Sequence, residues 1–229
     1  MKIRNPIIRM FNVTKRFGKK NILNKINLEV NSGEFVLVSG PSGAGKTTLM
    51  KMLYLGEKVS LGQIIVDGMN LARISKEKTP YLRRKFGVIF QDFKLIPNRT
   101  VYENVALVLE ARHEKPTFIR KKVMEVLKIT GMDTRINSFP LSLSGGEQQR
   151  VAVARALVGD PAIILADEPT GSLDNDAANI ILDFLLQYHN KGATIFIASH
   201  NMELIKNKIK YRNLYLNNGV LEDNKIVNT

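Results

Sequence analysis

The segment Gly40-Pro41-Ser42-Gly43-Ala44-Gly45-Lys46-Thr47-Thr48 has the residue types and spacing to hold phosphate. Its glycines let a turn point several backbone N–H groups at one spot. The apolar run Val36-Leu37-Val38 before it and Leu49-Met50-Lys51-Met52-Leu53 after it read as a strand and a helix. A helix N-terminus carries unpaired N–H groups and partial positive charge, so a glycine turn leading into one is an anion site. In that setting Lys46 reaches the β- and γ-phosphates of a nucleotide, and the Thr47 hydroxyl ligates Mg²⁺.

A second chemical segment lies far along the chain. Ala162-Ile163-Ile164-Leu165-Ala166 runs into Asp167-Glu168-Pro169. A buried strand that ends in two acids places them at the carboxyl edge of a sheet, where open α/β folds bind ligands. Asp167 can hold Mg²⁺ through water, and Glu168 can orient and deprotonate a water for in-line attack on phosphorus. Alone, the pair reads equally as an exposed acidic turn. The phosphate cradle gives it a task.

Leu143-Ser144-Gly145-Gly146-Glu147-Gln148-Gln149-Arg150 precedes an amphipathic stretch carrying Val151, Ala154, Leu157 and Val158. Ser144 and Glu147 have the spacing of a helix capping box. With the cradle upstream and the acidic strand downstream, the chain resembles the ABC (ATP-binding cassette) ATPases, whose signature is an LSGG segment between those two motifs. Order and spacing match across essentially the whole chain.

That resemblance implies ATP and Mg²⁺ as ligands and a head-to-tail dimer. Each ATP would lie between one subunit's glycine turn and its partner's Ser144, Gly145, Gly146 and Glu147. It implies further roles for matching positions. Gln91 corresponds to the glutamine that senses γ-phosphate and Mg²⁺, and Ser172-Leu173-Asp174 to the segment crossing the dimer interface. His200 corresponds to the histidine that contacts γ-phosphate and steadies Glu168, and Phe17 to the aromatic that stacks on adenine. The catalytic set is therefore Lys46, Gln91, Glu168 and His200, and the metal set Thr47, Gln91 and Asp167. Phe17 stands where tyrosine is frequent, Asn201 where aspartate is common, and Thr47 where serine is usual.

Positioning these groups requires an α/β sheet protein. β-branched runs at 7–13, 26–30, 35–39, 63–67, 87–90, 162–167, 194–198 and 213–216 read as strands. Asn217-Asn218-Gly219 reads as a hairpin turn. Between Gln91 and Asp160 strand signals vanish. Thr100-Val101-Tyr102-Glu103 is another capping box, and the patterns after it and over 118–129 are helical. The expected architecture is a P-loop NTPase of ABC type. One domain over 1–229 is expected, with 1–90 and 160–229 forming a RecA-like mixed-sheet core with an N-terminal antiparallel β-subdomain. About 91–159 would form a helical subdomain bearing the signature.

Composition sets outer limits. With 229 residues, 44% hydrophobic and 24% charged, the chain can bury an ordinary globular core. It has no cysteine, which excludes disulfides and thiolate metal sites and fits a reducing compartment. No apolar run nears the roughly 18 residues that cross a bilayer. The start, Met1-Lys2-Ile3-Arg4-Asn5-Pro6, is basic without the apolar stretch of a secretory signal. The net charge of +13 allows an anionic membrane leaflet, a nucleic acid or simply a solvated surface.

Within the family, the stretch from Phe90-Gln91-Asp92 to Arg99-Thr100-Val101-Tyr102-Glu103-Asn104-Val105 most resembles the bacterial cell-division branch. ATPases of lipoprotein-release and MacB-type export systems are its relatives and form the alternative. The branch implies a peripheral protein at the cytoplasmic face of the bacterial inner membrane with a four-span FtsX-like partner. ATP-driven dimer closure would act through that partner on cell-wall hydrolases. Phe93, Leu95, Ile96 and Val101 are then candidates for a docking groove with Lys94 and Arg99 at its rim, and the basic clusters would face anionic lipid. Nucleic acid is not an expected partner, since no coiled coil, zinc insert or second cassette is present.

Overall fold

The computed structural model describes residues 6–171, 173–199, 203–206 and 208–227. Two sheets organise them. Strands β1 (Pro6–Phe17), β2 (Lys20–Asn31), β4 (Leu61–Val66) and β5 (Met69–Asn70) form an antiparallel sheet in the order β2-β1-β4-β5. The second sheet runs β10-β9-β3-β8-β7-β6, from β3 (Phe35–Ser39), β6 (Phe86–Ile89), β7 (Ile163–Asp167), β8 (Thr194–Ala198), β9 (Tyr211–Asn217) and β10 (Val220–Val227). It is parallel except for β10, which returns antiparallel along the edge.

The strand sequences explain this division. Phe35-Val36-Leu37-Val38-Ser39 is buried throughout, as a central parallel strand covered on both faces must be. Over 26–30 of β2, buried Ile26, Leu28 and Val30 alternate with exposed residues, which suits an antiparallel strand with one wet face. Because successive side chains of a strand point to opposite faces, the central sheet splits the core in two. Leu37, Ile164, Ala166, Ile195 and Ile197 face one cluster; Val36, Val38, Ile163, Leu165, Phe196 and Ala198 face the other.

The helices α3 (Val101–Glu110), α4 (Pro116–Ile129), α5 (Gly145–Leu157) and α6 (Asn175–Asn190) pack on the first cluster. On the other side lie α1 (Lys46–Leu53), α2 (Thr79–Arg83) and the antiparallel sheet. Both capping boxes form: Thr100 with Glu103 at the start of α3, and Ser144 with Glu147 at the start of α5. The hairpin turn also forms, with Asn218 and Gly219 both at positive φ. Among the described residues, no helix is long and apolar enough to cross a membrane.

Each run read as a strand is one, with β1 and β2 longer than expected. Elements not anticipated as such include the short β5, the α2 turn and the sixteen-residue α6. Val101 is also not a docking residue. It is fully buried in the first core cluster, because it opens α3 on the face that packs inward.

Candidate active site

β3 delivers the chain into the glycine turn at the carboxyl edge of the central sheet. Gly40 sits at φ 137, and a Cβ there would come within 2.0 Å of the Leu216 carbonyl oxygen. Gly45 sits at φ 108, and a Cβ there would press on Leu23 and Ile22 at 3.0 and 3.1 Å. Both positions therefore exclude side chains by backbone conformation and by space. Gly45 is also the N-cap of α1 and offers no side-chain cap to the helix's first N–H groups. Those donors point where an anion is best stabilised. Lys46, the first residue of α1, is buried and donates to the carbonyls of Gly40 at 2.9 Å and Pro41 at 3.2 Å. That places its ammonium within the turn.

The opposite wall is the end of β7. Asp167 pairs in register with Ala198, and the Glu168 N–H donates to the Ala198 carbonyl at 2.9 Å. Glu168 has φ 46, a conformation uncommon for a residue with a side chain, so the chain bends sharply there. Asp167 Oδ1 is buried with no hydrogen-bond partner among the described residues. Such an oxygen is costly unless something binds it. Thr47 and Gln91 line the same cavity, and with Asp167 their side-chain oxygens are of the kind Mg²⁺ takes, so these residue types fit that ion.

One cavity of about 530 Å³ gathers these groups. Its walls include Ser42, Gly43, Gly45, Lys46, Thr47 and Thr48 from the turn and helix. Gln91, just after β6, and Asp167 and Glu168 continue the walls. Phe17, at the tip of β1 and 48% exposed, opens onto the far end together with Ile22. Gly40, Pro41 and Ala44 belong to the same turn but are not among the lining residues. Ile22 was missed from the sequence. It sits on β2 against Gly45, and only the sheet pairing reveals that approach. Tyr54 lies behind the site, where burial and then the charge of Asp167 push its phenol up from the ordinary value.

The signature residues lie elsewhere on the chain. Ser144 Oγ accepts from the Glu147 N–H at 3.3 Å, and Glu147 Oε2 accepts from the Ser144 N–H at 2.8 Å. The Ser144 backbone N–H first, and its hydroxyl to a lesser degree, hold the Glu147 carboxyl below its usual range. Asp174 caps α6 through the Ala177 N–H at 2.8 Å, and a Cβ on Gly146 would meet Ala177 at 3.9 Å. Ser144, Gly145, Gly146, Glu147 and Asp174 thus gather around two adjoining helix starts and do not line the cavity. His200 and Ser172, with Asn201, fall outside the described residues.

Two further residues of α5 were not singled out from the sequence. Gln149 is buried and donates to the Pro169 carbonyl at 2.6 Å, directly behind Glu168. Arg155 donates to the carbonyls of Phe93 and Lys94, just after Gln91. The helix that begins at the signature is therefore tied to both the acidic turn and the Gln91 loop. In the sequence both look like ordinary polar helix residues.

Known proteins resemble this chain in sequence and fold. Residues 23–171 match the ABC transporter family. Among curated relatives, the cell division ATP-binding protein FtsE of Bacillus subtilis is 46% identical over 199 residues, covering 87% of each chain. The protein of the same name from Streptococcus pneumoniae is 44% identical over 214 residues, covering 93% of each. Among solved structures, the ATP-binding cassette MJ0796, a dimer in a post-hydrolysis state bound to ADP and Pi, superposes with a TM-score of 0.87. It is 34% identical, and the match covers 95% of this chain and 98% of that one.

Proposed function

The chain belongs to the ABC transporter family and is an ATP hydrolase of that family; on that premise we propose that it is the FtsE-type subunit of a cell-division complex. The observation that carries the catalytic reading is the single cavity joining the glycine turn, Gln91, Asp167, Glu168 and Phe17. Adenine stacks on Phe17, and the triphosphate lies along the turn to the N-terminus of α1. Lys46 and the turn's N–H groups neutralise the β- and γ-phosphates. Thr47, Gln91 and Asp167 would hold Mg²⁺, which withdraws charge from the phosphate oxygens when bound. Glu168 accepts a proton from the attacking water as the new O–P bond forms in line and the bond to the β-phosphate oxygen breaks. His200 is assigned to steady that water.

The signature supports a dimeric site. Ser144, Gly145, Gly146 and Glu147 begin a helix whose N–H groups suit a γ-phosphate, but they do not line their own chain's cavity. In a head-to-tail pair they close over the partner's ATP, with Asp174 beside them. The helical stretch of about 91–159 acts as the subdomain that carries this surface.

An FtsX-like membrane protein is the proposed partner, with Mg·ATP-driven closure acting on cell-wall hydrolases through it. The protein would work peripherally on the cytoplasmic face of the membrane. Several cations of the basic clusters are neutralised within the fold: Lys15 by Glu57, Lys85 by Asp67, Lys122 by Asp160, Lys208 by Asp183 and Arg212 by Glu34 and Asp223. Exposed Lys19, Lys20, Arg120 and Lys121 remain for anionic lipid. Affinity purification of the tagged chain from membranes tests the partnership. A co-eluting four-span protein with a large extracytoplasmic loop is the expected result, and retention of no membrane protein would overturn it.

A further inference from the structure

Lys15 is a lysine in an unusual place. Most lysines in globular proteins are exposed, yet this one is 8% exposed. The pairing of β1 with β2 shifts register on both sides of it, between Val13 and Lys15 and between Lys15 and Arg16. The inside–outside alternation breaks there, so that Val13, Thr14 and Lys15 are buried in succession. Such irregularities re-aim side chains, and here the result is specific. Lys15 Nζ donates to Glu57 Oε2 at 2.8 Å and to the Lys58 carbonyl at 2.9 Å. It also stands 4.5 Å from the centroid of the Phe17 ring.

We propose that Lys15 is a positioning residue for the nucleobase, holding one face of the Phe17 ring so that the other is presented to the base. The inference rests on the reading of Phe17 as the base platform. Phe17 ends its strand and is half exposed, so a rotamer chosen by packing alone would be weakly fixed. A desolvated ammonium over an aromatic face supplies the missing constraint. Its anchors also matter. Glu57 and Lys58 lie in the turn after α1, and the N-terminus of α1 is the phosphate site. The two ends of the nucleotide are thereby braced by the two ends of one helix. A base stacked on the free face adds its own attraction without disturbing the cation.

Calorimetric titration of the full-length chain with ADP and with inorganic pyrophosphate tests this, because only ADP carries a base. Lys15→Met should weaken ADP binding roughly three- to tenfold and leave pyrophosphate binding unchanged. Lys15→Arg should restore ADP affinity, since a guanidinium also stacks on aromatic faces. Phe17→Ala should weaken ADP alone, with no further loss on adding Lys15→Met. If Phe17→Ala weakens ADP but Lys15→Met does not, the positioning role is refuted and the platform stands. If Phe17→Ala leaves ADP binding unchanged, the platform itself is wrong. Equal weakening of both ligands by Lys15→Met, or failure of Lys15→Arg to restore ADP, would show that the residue merely supports the fold.

Discussion

Arg155 Nη2 donates to the Phe93 carbonyl at 2.6 Å, while its other terminal nitrogen reaches the Lys94 carbonyl at the same distance. Phe93 and Lys94 are consecutive non-glycine residues at φ 57 and 50, a conformation that costs energy and persists only where surroundings impose it. The guanidinium supplies that imposition from α5. Burial pulls its pKa down from the ordinary arginine value, as expected for a charge held away from water. The helix that opens at the signature therefore fixes the loop that carries Gln91.

Arg155→Met should release this loop. Hydrogen bonds from a charged donor contribute about 1.5–3 kcal/mol, so stability should fall by up to that amount. Denaturant unfolding measures the loss. Amide exchange should rise most between Gln91 and Ile96, and uniform protection there would show that the loop holds itself.

Glu168→Gln removes the proton acceptor while keeping size and most hydrogen bonds. Turnover of ATP should drop by roughly 10²- to 10⁴-fold, the usual contribution of a positioned general base. ATP should still bind, and a dimer should accumulate on size exclusion. Undiminished turnover would take the base role away from Glu168.

Lys46→Ala removes the ammonium from the phosphate turn. A charge-assisted bond of roughly 1.5–3 kcal/mol corresponds to about ten- to a hundredfold in affinity. Equilibrium binding of ADP reads this directly. Unchanged affinity would contradict the cradle assignment.

The glycine turn and the acidic strand end that share this cavity were legible in the sequence because their constraints are local. Gly40 to Thr48 need only a strand before and a helix after, and Asp167-Glu168 need only a strand end. The placement of Ile22 and Lys15 was not recognisable, because it arises from β1–β2 pairing and its irregular register. α6 was equally hidden, although Ala178, Ile181, Leu182 and Leu185 recur at helical spacing within it. The Asp174 that caps it drew attention as an interface and nucleotide-site residue, and not as a helix cap. Val101 illustrates the converse. An apolar residue beside a suspected docking loop looked like surface, and packing made it core.

Acid should weaken the start of α5. Glu147 has its folded-state pKa below the ordinary 4.5, first through the backbone N–H of Ser144. A depressed carboxylate contributes stability above its unfolded pKa and loses it as pH falls through the folded value. The capping box is thus intact at neutral pH and decays below about pH 4.5. Glu147→Gln should flatten this acid dependence, because it removes the titrating carboxylate and leaves the Ser144 backbone N–H in place. Unfolding measured from pH 7 down to pH 3 distinguishes the two chains; parallel curves would mean that the box carries no acid-sensitive stability.

With Val101 buried, the docking surface proposed beside Gln91 would rest on Phe93, Leu95 and Ile96, which stay partly exposed. Ile96 is held in place from below. Asn104, fully buried, accepts from its N–H at 2.8 Å and donates to its carbonyl at 3.1 Å. The loop is thereby a fixed platform with an apolar side chain on top, the form a partner's helix requires. Ile96→Glu leaves both backbone bonds available while placing a charge on that surface. Recovery of the membrane partner should fall severalfold, with ADP affinity unchanged. If recovery is normal, the partner docks away from this loop.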